Sequence, residues 1–163
     1  MNHLATSKED ILTASRDLIR ENGWAAISIR AVAARCSVSA GTIYNYYNSK
    51  ADLLGDTIES VWYEIFFHPK DEQVFHDVET CISWIYERLE YGNAQFPGFF
   101  SLHSFGFMRD EKTSGKKRMM KTWGHILNGL CEVLENDPKV RADVFDQEFT
   151  EKKFADILFS LIL

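Results

Sequence analysis

The stretch from Ser28 to Lys50 constrains this chain more than any other. Ser28 is a hydroxyl placed to cap a short helix, and Val32 and Ala33 supply that helix with a small apolar inner face. Ser37-Val38-Ser39 then breaks the pattern. Ser39 caps a second helix by taking the amide of Gly41 or Thr42. Ala33 is small where the two helices would cross, and Ile29, Val32, Val38 and Ile43 form the apolar set that locks the pair. Two short helices joined by a tight turn make a helix-turn-helix over residues 28–47, whose second helix has the width of a DNA major groove.

The outer face of that second helix crowds Thr42, Tyr44, Asn45, Tyr46 and Tyr47 into a turn and a half. Hydroxyls and amides bond base edges or phosphates, and aromatic rings meet thymine methyls or lie along the backbone. Lys50 follows at the start of the next helix, within reach of a phosphate. The competing reading is an amphipathic pair whose tyrosines half-pack into a core.

The run Arg30-x-Val32-Ala33, followed by Val38-Ser39-x-Gly41-Thr42-Ile43-Tyr44-x-Tyr46-Tyr47-x-x-Lys50-x-x-Leu53-Leu54, resembles the signature of the tetracycline-repressor (TetR) family. Upstream, Ile11-Leu12-x-Ala14 and Asn22-Gly23-Trp24 extend the likeness over the first third of the chain. Ser37 stands where the family has a turn glycine, which implies local backbone strain, and Ala40 and Asn48 replace positions that are often basic. The resemblance implies that Ser28 and Arg30 contact backbone and groove edge from the first helix of the pair. It places Ser39, Ala40, Gly41, Thr42, Tyr44, Asn45 and Tyr46 on the recognition helix, with Tyr44 and Lys50 on phosphates.

A net charge of −6 is unusual for a DNA binder until it is divided along the chain. Residues 1–50 hold six basic and four acidic groups, a balance of +2 that leaves −8 for the rest. The local field of the reading head matters for binding, and a head this weakly basic gains from acting in pairs. With 163 residues and 45% apolar content, the chain is long enough for a real core. Cys36, Cys81 and Cys131 are odd in number and scattered, which argues against disulfides or a zinc site. Core cysteine is the default, with a sensing thiol at Cys36 the alternative. The start of the chain lacks a basic-then-apolar leader and no apolar run is long enough to span a membrane, so a cytoplasmic protein is expected.

In chain order, Ser7-Lys8-Glu9-Asp10 is a capping box for a bracing helix through Ile11, Ala14, Leu18 and Ile19, ended by Asn22-Gly23. Ser49-Lys50-Ala51-Asp52 is a second box, opening a longer helix through Leu53, Leu54, Ile58, Val61, Trp62 and Ile65 that Pro69 stops. Val74, Val78, Cys81, Ile82, Ile85 and Leu89 mark another helix. Five phenylalanines then fall within Phe96–Phe107, where Pro97 fits a first helical turn. Core packing and an apolar ligand pocket compete for this region. As a pocket it would draw on Trp62, Tyr86, Phe99, Phe100, His103, Ser104, Phe107, Met120 and Trp123. The basic stretch Lys112–Arg118 reads as a linker or first helical turn, not a phosphate loop. Met119, Met120, Trp123, Ile126, Leu127, Leu130, Val133 and Leu134 form a strong stripe ended by Asn136-Asp137-Pro138. Phe154, Ile157, Leu158, Leu161 and Ile162 begin a last helix.

The expected architecture is all-α, with a three-helix DNA-binding head over residues 5–65 and a helical bundle over 66–163. By resemblance, the bundle binds a small effector and its last two helices pair with a second copy, giving a homodimer on a near-palindromic double-stranded operator. A chain ending on Leu161-Ile162-Leu163 is short for such a bundle, so the last helix reads as truncated or as buried in the dimer. Two rivals stand beside a repressor. One is a DNA-binding head whose bundle recruits a protein. The other is a helical metal enzyme built on His76-x-x-Glu79 or on Asp52, Asp56 and Glu59. Neither a metal nor another cofactor is expected, because paired Glu with Glu-x-x-His, a nucleophile triad and a glycine-rich cofactor loop are all missing from the sequence.

Overall fold

In the computed structural model, which describes residues 6–67, 76–100, 114–141 and 143–162, every regular element is helical. Helix α1 (Lys8–Asn22) starts on a reciprocal cap. The Asp10 amide donates to Ser7 Oγ at 3.1 Å, and the Ser7 amide donates to Asp10 Oδ2 at 2.8 Å. It stops at Gly23, whose φ of 77° suits a residue without Cβ and whose amide closes on the Ile19 carbonyl. A 3-10 turn (Trp24–Ala26) leads to α2 (Ile29–Arg35) and α3 (Ala40–Tyr44). Ile11, Ile19, Ile27, Val32, Ala33, Ile43 and Leu53 bury completely or nearly so and hold these pieces around one apolar centre.

Helix α4 (Lys50–Phe66) is shared between two sets of neighbours: it packs against α1, and also against α5 (Val78–Gln95) and α6 (Ser114–Asn136). Its start is capped by the Ser49 hydroxyl, which accepts the Asp52 amide at 3.1 Å. It ends at Phe66, while Pro69 and Val74 lie outside the described residues. The following helix begins at Val78 because Asp77 caps it and the buried Asp137 carboxylate, at the end of α6, accepts the Val78 amide at 2.9 Å. The residues that stop one helix therefore also anchor another.

Pro97 sits in a turn and not in a first helical turn as its spacing suggested. The Phe99 amide bonds the Phe96 carbonyl at 3.0 Å, with Pro97 and then Gly98 (φ 80°) at the two central positions. This is the arrangement of a type II turn, where proline presets the first φ and glycine accepts the positive second one. The turn folds Phe99 and Phe100 back under Trp62. Gly92 permits this close approach: a Cβ there would stand 2.7 Å from Ile65 Cδ1 and 3.0 Å from Phe100 Cζ. Helix α6 pairs with α7 (Glu151–Ile162) through Leu130, Val133, Leu134 and Ala155.

Candidate nucleic-acid interface

The turn between α2 and α3 is built from backbone bonds. The Ser37 amide reaches the Ala34 carbonyl at 3.1 Å, and the Val38 amide reaches the Ala33 carbonyl at 2.9 Å. That pair of bonds is a Schellman closure, which puts Ser37 at the left-handed position, with φ 57°. Ser37 is the one non-glycine residue with positive φ among those described. The strain implied by a serine in place of glycine is therefore present. Ser28 and Ser39 both cap as expected, accepting the amides of Ala31 and Thr42 at 3.1 Å each. Between the two proposed amide donors to Ser39, the structure selects Thr42, whose hydroxyl also meets Ser39 Oγ at 3.0 Å.

With Ile43 buried, α3 turns Gly41, Tyr44 and Asn45 outward, and Tyr44 is 54% exposed. Ser39, Arg30 and Lys50 are exposed, while Ser28, Ala40 and Thr42 are half-buried at the edge of the same region. One tyrosine departs from the outer face drawn for it. Tyr47 is 3% exposed and packs in the head core beneath the Lys8 ammonium, which lies 5.7 Å from its ring centre. The helix ends at Tyr44, so the residues after it no longer follow the face set by α3. Tyr46 keeps 43% of its surface, but its hydroxyl donates to the Thr6 carbonyl at 2.5 Å, tying the start of the chain to the reading helix.

Ion pairing sorts the basic groups of the head. Lys8 meets Asp56 at 2.6 Å, Arg16 meets Glu9 and Glu64, Arg20 meets Asp17 and Glu64, and Arg35 meets Glu21. Burial disfavours the charge of Arg20, but its bonds to Glu64 and Asp17 leave its pKa raised overall. The Arg35 guanidinium holds the Glu21 carboxyl below its ordinary range. Arg30 and Lys50 are the two head cations with no carboxylate partner among the described residues. They flank the exposed face of α3 in sequence, one on α2 and the other at the start of α4. The two cations without such a partner thus stand where α3 is open. Cys36, beside the turn, has its thiol pKa raised by burial, which keeps it in the protonated, less reactive form at neutral pH.

Of the residues considered for a ligand pocket, the structure brings Trp62, Phe99, Phe100 and Trp123 together. Ring centres of Phe99, Phe100 and Trp123 lie 5.0, 5.8 and 5.8 Å from that of Trp62. Tyr86 stands exposed on α5. Met120 lies on α6, and His103, Ser104 and Phe107 fall outside the described residues. Sequence reasoning missed how far this cluster reaches toward the head. Trp24 stacks on Phe99 at 5.4 Å, and the Arg20 guanidinium lies 4.8 Å over Phe96. A separate groove of about 760 Å³ runs between α1, α4 and α5, with Leu12, Tyr63, Phe67, Arg88 and Tyr91 on its walls. Among the described residues no three His, Cys, Asp or Glu side chains gather as metal ligands, and no helix is long and apolar enough to cross a membrane.

Residues 11–57 match the family model for bacterial regulatory proteins of the tetR family. Among solved structures, the fold is similar to the transcriptional regulator FadR from Bacillus subtilis in complex with stearoyl-CoA. The TM-score is 0.61 at 17% identity, over 96% of this chain and 83% of that one. A Clostridium perfringens protein assigned to the regulation of fatty acid metabolism is similar with a TM-score of 0.53 at 17% identity, over 94% and 81% of the two chains. At such identity the likeness is one of fold. No curated protein matches the sequence. The match falls on the capped helix-turn-helix of an all-helical chain, so residues 11–57 form a DNA-binding head similar to that of the tetR-family regulators.

Proposed function

We propose that the chain is a non-enzymatic, cytoplasmic, homodimeric repressor, released from a near-palindromic operator by an amphipathic small molecule. The observation that carries the DNA-binding part is the sorting of charge: among the described residues, Arg30 and Lys50 are left without carboxylate partners beside the exposed Tyr44 and Asn45. Ser28, Ser39, Ala40, Gly41, Thr42 and Tyr46 complete the surface offered to DNA. Gly41 keeps that surface low, since a Cβ there has only Ser39 Oγ nearby, at 3.6 Å, and nothing within the head demands its absence. Two heads would enter successive major grooves roughly 34–36 Å apart.

Dimerisation is supported by the outer side of α7, where Ile157 is 48% and Leu161 77% exposed. The division proposed is a head over 5–65 and an effector and dimerisation bundle over 66–163. For the effector, the FadR complex with stearoyl-CoA supports a ligand with a long apolar chain and an anionic end. The aromatic cluster around Trp62 would form its apolar wall, with Tyr86, His103, Ser104, Phe107 and Met120 as further candidates. Release requires that the ligand bind the non-reading head spacing more tightly than the reading one.

Selection of genomic fragments by the purified protein at near-physiological salt tests this reading, and an enriched near-palindrome is the expected result. On that DNA, Arg30→Ala and Lys50→Ala weaken binding for all sequences, each lowering the log–log salt slope by about 1. Asn45→Ala instead relaxes preference at particular base pairs. A folded protein that enriches nothing, or slopes unchanged in both variants, would sink the assignment. Stearoyl-CoA, palmitate and free CoA added to the complex then separate an acyl thioester from a fatty acid or a nucleotide as the releasing species.

A further inference from the structure

Two of the contacts between the head and the rest of the molecule differ in kind. One is aromatic: Trp24 lies nearly parallel to Phe99, with 14° between the planes. Offset rings tolerate sliding, so such a stack holds two bodies together without fixing their angle. The other contact is polar and directional, and it converges on one side chain. Glu64, on the last two turns of α4, receives Arg16 Nε at 3.1 Å on Oε2. Its Oε1 receives an Arg20 guanidinium N–H and the Tyr91 hydroxyl, the latter at 3.0 Å. Two of these donors come from α1 and the third from α5. Arg88 completes the junction from α5, donating to the backbone carbonyl of Glu64 at 3.0 Å and to that of Ile65.

We infer that Glu64 is the positioning residue that sets the angle of the DNA-reading head on the bundle, because one carboxylate is the shared acceptor for groups from both sides. Charge-assisted bonds to a planar guanidinium are short and strongly oriented, so three donors on two oxygens define a direction as well as a contact. The fold does not depend on this hub alone. Arg16 keeps Glu9 at 3.0 Å and Arg20 keeps Asp17 at 2.9 Å when Glu64 is neutralised, and the buried apolar residues beneath are untouched. Loss of the carboxylate therefore releases the angle while the reading surface stays whole.

This inference rests on the two-headed operator reading, and the test separates the two. The DNA recovered by selection is used as a full site and, with one arm scrambled, as a half-site. For Glu64→Gln, half-site affinity stays within about twofold of wild type and full-site affinity falls about tenfold, the size of a typical coupling between sites. Tyr91→Phe, which removes one bond only, loses about threefold on the full site, and adding it to Glu64→Gln brings no further loss. Thermal unfolding of each variant is followed alongside. A Glu64→Gln protein with the wild-type preference for the full site overturns the inference. So does an equal fall on both sites, which would mark a merely structural role. If Glu64→Gln does not fold, an unchanged full-site affinity in Tyr91→Phe overturns it. Wild-type protein with no full-site advantage sinks the two-headed reading, and this inference with it.

Discussion

The reading head and the aromatic cluster beneath it are held by different physics. In the head, the decisive bonds are short-range: Ser7, Ser28, Ser39 and Ser49 each accept an amide three residues ahead, and the α2–α3 turn closes on its own backbone. Such devices act within one helical turn and need no distant partner. Around Trp62 the reverse holds. Phe66 is a near neighbour in the chain, but Phe99, Phe100 and Trp123 arrive from segments well beyond α4, and Trp24 joins through Phe99. The head can thus keep a rigid reading surface while its seating is governed by residues tens of positions away.

The largest effect expected from this contrast is in the cluster. Trp62→Ala removes a ring that is 1% exposed and touches four other aromatics among the described residues, and should lower unfolding free energy by about 3–5 kcal/mol in chemical denaturation. A cost below about 1 kcal/mol would break the contrast, since that is the worth of a single helix cap. A smaller and opposite effect is expected from Ser37→Gly. Glycine relieves the positive φ at that turn, at the cost of a more flexible unfolded chain, so the head gains up to about 1 kcal/mol without change in operator preference. Any destabilisation there would mean that the serine side chain contributes more than its backbone costs.

The smallest effect is expected from acid, which reaches the local devices of both regions. Hydrogen bonds from Ser7 hold the Asp10 carboxyl below its usual range, bonds from Thr80 do so for Asp77, and the amides of Phe149 and Glu148 do so for Asp146. A carboxyl whose folded pKa is depressed adds stability above its unfolded pKa and loses it as pH falls through the folded value. The starts of α1 and α5 should then fray together as pH drops below about 4, seen as faster amide exchange at both. Fraying confined to one of them would show that the two regions use their caps differently.

Much of the head was legible because its signals are local. The capping box, the glycine stop and the serine caps are each readable from four residues, and the structure places them where those residues stand. The same local logic misjudged Tyr47, since α3 ends at Tyr44 and helical spacing no longer says where the next side chains point. The local sequence around Pro97 suggests a first helical turn for a similar reason. The turn it makes depends on Gly98 and on the close passage of Phe100 over Gly92, a contact between separate segments. Which cations remained for DNA was illegible too, because ion pairs such as Lys8 with Asp56 and Arg20 with Glu64 cross from one helix to another.

The sequence by itself determined the helices of the head, their caps and the turn between them, since each rests on bonds spanning three to five residues. Tertiary structure alone decided which tyrosine faces outward and which pair of cations stays uncommitted. It also decided that Glu64 gathers donors from two sides and that the phenylalanines after Gln95 pack beneath Trp62. Those outcomes depend on side chains brought together from distant positions, and periodicity along one helix carries no information about the helix it will meet.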